Sequence, residues 1–237
     1  DNNILYLACD GGIYKSTNGG IDWFHRNNGI STMQIYRMAS HKFSPDTLMV
    51  GMQDNGIGIT YDRGSTPYQD LYGGDGMEVF FDYADPNAIY VSIQNGNTAM
   101  SPNFGSTFQY QFNLTGAWIT PYFLHPTNNQ WVYAATNRIW RSTNRGQNWT
   151  AITNVVSSNS LINSMDQSSV NPDIMIFAGS YYTNFPVVKY STDGGFTWNQ
   201  RNNFGGLSRY ISRVVCDPID ENTFYLVKSG YSTSNKI

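Results

Sequence analysis

One eight-residue string recurs along the chain at nearly even spacing: STNGGIDW at 16–23, SPNFGSTF at 101–108, STNRGQNW at 142–149 and STDGGFTW at 191–198. A degenerate copy, TYDRGSTP, starts at Thr60 with Pro67 in the aromatic position, and a truncated one, STSNKI, starts at Ser232. The steps between starts are 44, 41, 41, 49 and 41 residues. A second mark keeps phase with the first. X-Pro pairs at Ser44-Pro45, Asp85-Pro86, His125-Pro126, Asn171-Pro172 and Asp217-Pro218 precede the next string by 15, 15, 16, 19 and 14 residues, counted from the proline. A period of this length belongs to repeat architectures, whose units bury their faces only against their neighbours.

Between the marks lie short apolar runs. TLMVGMQ, AIYVSIQ, WVYAATN, IMIFAGS and TFYLVKS follow the prolines, and runs such as MEVFFDYA and ISRVVCD precede them. A third run, such as GIYKS or RIWRS, leads into each string, and a fourth follows it. These runs are rich in β-branched and aromatic residues and are separated by Gly, Asn, Asp and Pro, so each unit reads as four strands. Four strands per unit of this length predict an all-β chain, a β-propeller of four-stranded antiparallel blades. With strands labelled A to D from the centre outward, X-Pro marks the A–B turn and the recurring string the C–D turn. The expected organisation is a single propeller: a partial blade over 1–29, blades over 30–73, 74–115, 116–158 and 159–207, and a partial blade over 208–237. About six blades are represented. The ends overlap in strand type instead of complementing one another, so the expected whole is a longer propeller.

Composition narrows the partners. Charged residues are 13% and aromatics 15% of the chain, a balance that suits strands and tight turns. The formal net charge is −3 with no run of basic residues, which argues against a nucleic-acid surface. No stretch reaches the roughly 18 apolar residues of a bilayer span. The chain begins at Asp1, without Met, in keeping with a processed or excised segment. Cys9 and Cys216 both fall in runs that read as buried strands, so two packed free thiols are expected, with a single disulfide as the alternative.

The string itself is a local device. Its Ser or Thr hydroxyl and its Asp or Asn side chain can bond backbone N–H groups inside a hairpin, and Gly at its fifth position tolerates positive φ. The residues concerned are Ser16, Asn18, Gly20 and Trp23; Thr60, Asp62 and Gly64; Ser101, Asn103, Gly105 and Phe108; Ser142, Asn144, Gly146 and Trp149; and Ser191, Asp193, Gly195 and Trp198. The aromatic residues are expected to fold back and pack between blades. An Asp or Asn repeated in every unit is a structural part, since a catalytic group is needed once. The strings resemble the Asp-box, or BNR, repeat of sialidases, family 74 xyloglucan hydrolases and sortilin-like luminal domains. GMQDNG (51–56) and YGGDG (72–76) are similar to a pairing in large secreted proteins of Bacteroidota. The resemblance implies a secreted or cell-surface setting with further domains in a larger chain. It implies no single activity, because its hosts include enzymes and receptors.

In a propeller the B–C loops and D–A connections share one face, opposite the repeated strings and X-Pro turns. On the first face the sequence places Asp10, Asp54, Asp75, Trp118, Asn137, Arg138, Tyr181, Tyr182, Arg209 and Tyr210. One reading is packing and turn chemistry: Asp10-Gly11 and Asn55-Gly56 are hairpin turn pairs, and Asp75 caps a connection. The other is a carbohydrate platform on which flat aromatic rings stack on sugars while Asp, Asn and Arg bind hydroxyls. No cofactor is required; Asp54 and Asp75 in adjoining loops are a thin candidate for Ca²⁺. No metal-ligating His cluster, nucleophile elbow or phosphate-binding loop occurs. A sialidase would need an Arg triad and a Tyr–Glu pair, hard to assemble from two Glu residues, Glu78 and Glu221. The function expected is thus a non-catalytic adhesion or scaffold module that binds glycan or protein through the loop face, without membrane insertion. The alternative is a family 74-type hydrolase using Asp10 and Asp54 as acid and base.

Overall fold

The computed structural model describes residues 3–9, 12–26, 33–155, 160–181, 187–201 and 211–228. Its strands fall into six antiparallel sheets, each made of sequence-adjacent strands. The first holds β1 (Leu5–Cys9), β2 (Gly12–Ser16) and β3 (Phe24–His25). The second holds β4 (Ile35–His41), β5 (Ser44–Met52), β6 (Gly56–Thr60) and β7 (Gln69–Tyr72). The third holds β8 (Gly76–Phe81), β9 (Ile89–Ile93), β10 (Asn97–Ser101) and β11 (Gln109–Asn113). The fourth holds β12 (Tyr122–Leu124), β13 (Val132–Ala135), β14 (Ile139–Ser142) and β15 (Thr150–Ala151). The fifth holds β16 (Ser160–Gln167), β17 (Met175–Tyr181), β18 (Val187–Ser191) and β19 (Asn199–Arg201). The sixth holds β20 (Ile211–Cys216) and β21 (Phe224–Lys228).

The fold is a β-propeller. Inner strands β8, β12, β16 and β20 together line a central space of about 180 Å³, where Glu78 accepts a 2.8 Å bond from Arg37 Nε on β4. Burial raises the Glu78 carboxyl above its usual range, while Arg37 and Arg213 oppose the shift. The core is divided among the seams between blades. Met49, Ile57 and Ile59 meet Val79, Phe81 and Ile89, and Tyr90 and Met100 meet Tyr122 and Val132. Tyr133 and Ile139 meet Ile162 and Phe177, and Ile176 and Val188 meet Ile211 and Val214. Middle strands are covered on both sides, which is why GIGIT and VYAA are continuously buried and show no polar alternation.

The eight-residue turns form one hydrogen-bond pattern in five blades. In the last of them Ser191 Oγ accepts from Asp193 N (3.3 Å) and Gly195 N (2.9 Å) and donates to Asp193 Oδ1 (2.8 Å), which accepts from Thr197 N (2.8 Å). The other four repeat this from Ser16, Thr60, Ser101 and Ser142. All five hydroxyl residues are buried. Accepted hydrogen bonds hold the Asp62 and Asp193 carboxyls down at about 2. Two successive residues adopt positive φ, not the glycine alone: Arg63, Phe104 and Arg145 carry φ of 60, 56 and 60°. The N–H of this fourth position donates to the A–B connection or the first residues of strand B of the same blade, as in Arg63 to Asp46 O, Phe104 to Asn87 O, Arg145 to Gln130 O and Gly194 to Asp173 O. That bond places the turns and the A–B connections on one face.

A second clamp, not expected from the sequence, recurs in the A–B connections. Asp82 Oδ1 accepts from Ala84 N and Asp85 N; His125 Nδ1 from Thr127 N and Asn128 N; Ser168 Oγ from Val170 N and Asn171 N; Asp217 Oδ1 from Ile219 N and Asp220 N. Asp82 and Asp85 also receive Arg145 Nη2 from the next blade at 2.8 and 2.9 Å. Asn129 Nδ2 completes the Asp82 cage at 3.1 Å to each oxygen.

His125 can accept two N–H bonds at Nδ1 only when that nitrogen is unprotonated. Burial, followed by the Arg141 charge, lowers its pKa. The folded chain therefore disfavours imidazolium more than the unfolded chain does. This contribution is fully present above the unfolded value of about 6.5 and is lost as pH falls from there through the lowered folded value. Replacement by Asp, the residue used at the equivalent positions 82 and 217, should flatten the decline of melting temperature between about pH 7 and pH 5. An unchanged pH slope in His125→Asp would show that His125 does not act as this acceptor.

Three expectations are corrected. Trp23 is 39% exposed. Trp149 stacks on Phe112 of the preceding blade at 5.0 Å, Phe108 meets Tyr72 at 4.7 Å, and Trp198 joins Ile152 in the same sense. The described residues hold no blade before the first, so Trp23 lacks the inter-blade neighbour that Trp149, Phe108 and Trp198 have. For the same reason β1 is exposed along its length, and Cys9 is an exposed thiol while Cys216 is buried; both are free. Burial pushes the Cys216 thiol up to about 12. Finally, Pro45 is the second residue of β5 instead of a turn residue, because His41 pairs directly with Ser44 across a two-residue hairpin. The expected third strand of the last blade, at 229–237, lies outside the described residues.

Candidate functional site

The loop face carries an open groove of about 680 Å³, lined by Phe112, Asn113, Leu114, Thr115, Thr136, Asn137, Arg138, Trp140, Ser160 and Leu161. It lies where the outer strand of one blade (β11) and the connection after it meet the B–C turn of the next (136–138) and the start of β16. Its shape is fixed by backbone bonds. Thr136 N donates to Arg138 O at 2.8 Å, and Ile162 N of the following blade donates to Thr136 O at 2.7 Å. Trp140 Nε1 donates to Thr136 Oγ1 at 3.1 Å, which orients the indole, and Phe112 meets the ring edge-on at 5.5 Å. The Arg138 guanidinium lies 5.7 Å from the centre of the Trp140 ring. The groove thus offers aromatic and aliphatic surface, amide and hydroxyl groups and one cation. Among the described residues no carboxylate lines it.

The structure distributes the expected residues unevenly. Asn137 and Arg138 come together in this groove. Asp54 and Asp75 meet elsewhere on the loop face: Asp75 Oδ1 accepts the Asp54 backbone N–H at 2.7 Å, and Asp75 N donates to Gln94 Oε1 at 2.9 Å. Asp75 thereby satisfies a donor in a B–C turn where Asp54 has φ 58°. Asp54 borders a second hollow of about 520 Å³, formed with His25, Asn55, Asp70 and Tyr72. Among the described residues no three His, Cys, Asp or Glu side chains come together as metal ligands. Trp118, 47% exposed, donates from Nε1 to Tyr36 Oη at 3.2 Å, and Tyr36 donates to Gln53 Oε1 at 2.5 Å. This chain ties the connection before β12 to the second blade. Asp10, Tyr182, Arg209 and Tyr210 lie outside the described residues, and of Tyr181 the structure gives only its place as the last residue of β17, paired with Ser160. The sequence reading did not assign Phe112, Trp140 or Thr136 to the site. Their signal was a pair of aromatic residues in outer-blade strands beside the sequence TNRI.

Solved structures share this architecture. An ancestral GH74 enzyme superposes with a TM-score of 0.71 at 20% identity, over 98% of this chain and 34% of its own. The GH74 xyloglucanase from Xanthomonas campestris gives a TM-score of 0.66 at 16% identity, over 98% of this chain and 42% of its own. YCF48 from Cyanidioschyzon merolae gives 0.61 at 12% identity, over 97% of this chain and 77% of its own. The likeness is one of fold. The chain spans about a third of the length of the first of these structures. No protein-family profile matches the sequence, and no curated protein sequence does.

Proposed function

We propose that this propeller is a non-catalytic binding module of a larger secreted or cell-surface protein, taking a saccharide in the groove beside the 136–138 turn. The observation that carries the reading is the groove's lining: aromatic and aliphatic side chains beside fixed amide, hydroxyl and guanidinium groups. Sugar rings present apolar C–H faces and a rim of hydroxyls, which such a surface complements. Binding of immobilised oligosaccharides by the whole chain, weakened at least about 10-fold in Asn137→Ala/Trp140→Phe with the fold intact, is the expected result. Absence of saccharide binding, with a defined protein ligand bound in its place, would overturn it.

A hydrolase remains the second reading, favoured by the likeness in fold to GH74 enzymes. It would use Asp54 with Asp10, which the sequence reading puts on the same face. Release of reducing ends from xyloglucan, abolished in Asp10→Ala or Asp54→Ala, would establish it, and inert xyloglucan would dismiss it.

A further inference from the structure

We infer that the groove selects an acidic saccharide, one whose ring carries a carboxylate or a sulfate ester, and that Arg138 is the residue that binds its charge. This rests on the saccharide-binding reading above.

Of the described residues lining the groove, Arg138 alone is charged. Its guanidinium takes part in none of the ion pairs formed among the described residues, in contrast to Arg37, Arg63 and Arg145, each of which meets a carboxylate. What holds it is the Trp140 ring. A cation–π contact at this distance leaves the N–H donors of the guanidinium unspent, and its planar fork matches the two oxygens of a carboxylate or sulfate. The support is rigid as well: the turn carrying Arg138 is bonded both within its own blade and to β16 of the next. Asn137, adjacent in the same turn, adds an amide, and Leu114, Leu161 and Trp140 offer apolar surface to a sugar ring. The chain as a whole carries −3, so attraction of an anion here comes from the local group and not from the overall field.

The test is calorimetric titration of the whole chain with trigalacturonate, its methyl ester as a neutral twin, and a sulfated disaccharide. The acid should bind at least about 10-fold more tightly than its ester. Arg138→Met, which keeps an apolar stem without the charge, should erase that difference at an unchanged melting temperature, and Arg138→Lys should restore part of it. Binding of the sulfated sugar but not the uronate, lost in Arg138→Met, would assign the anion as sulfate. Equal binding of acid and ester, or a preference that survives Arg138→Met, would overturn the inference and leave the saccharide reading standing. Failure of every saccharide to bind would remove both.

Discussion

Arg145→Ala should lower the unfolding free energy by about 3–5 kcal/mol, seen as a fall in denaturant midpoint with little change in slope. Asp82 is fully buried, and its carboxylate is shared among two backbone N–H groups, the Asn129 amide and the Arg145 guanidinium. Removing the cation leaves a negative charge in a site closed to water, which costs far more than a surface pair would contribute. The same arginine bonds Asp85 and reaches Tyr90 Oη at 3.4 Å, so three groups on one blade lose a partner from the next. Adding Asp82→Asn to Arg145→Ala should recover part of the loss, since the amide still accepts while the stranded charge is gone. A loss under about 1 kcal/mol would mean that water replaces the guanidinium and that the seam does not depend on it.

The second large effect separates two tryptophans with the same local chemistry. Trp198→Ala should cost about 3–5 kcal/mol, because the ring fills a seam with Phe177, Ile152 and Tyr133. Trp23→Ala should cost about 1 kcal/mol or less, although Trp23 makes the same 3.0 Å Nε1 bond, to Gly20 O, that Trp198 makes to Gly195 O. Urea titrations of the two variants decide it. Equal losses would place the energy of the turn in its own hydrogen bonds; the expected asymmetry places it between blades, as quasi-one-dimensional stacking requires.

These pairs also show which parts of the molecule could be read beforehand. The sheets were legible because two marks of unrelated chemistry, a hydroxyl–amide turn and an X-Pro pair, keep one period. The second clamp was not, because its acceptor changes from Asp82 to His125 to Ser168 to Asp217. What these share is a lone pair of short reach, a property that residue identity hides. Trp23 misled because its string is complete while its burial depends on a neighbouring blade. In the groove, Asn137 and Arg138 were placed on the right face by topology alone. Trp140 was missed because a strand aromatic reads as core filling, and only the folded chain shows its ring centre 5.7 Å from the Arg138 guanidinium. Asp54 and Asp75 were read as neighbours, and they are, though Asp75 spends its carboxylate on a backbone donor.

The bond from the fourth position of each recurring turn to the A–B connection has one more consequence. It gathers the repeated clamps of the described blades on a single rim, while the opposite rim is held by bonds that differ from blade to blade. The contacts at 53–55 and 136–138, such as Asp54 N–H to Asp75 and Ile162 N–H to Thr136 O, are particular to one blade or seam and stand outside the repeated clamps. Such a division lets new recognition chemistry evolve on the loop rim while the framework stays as it is.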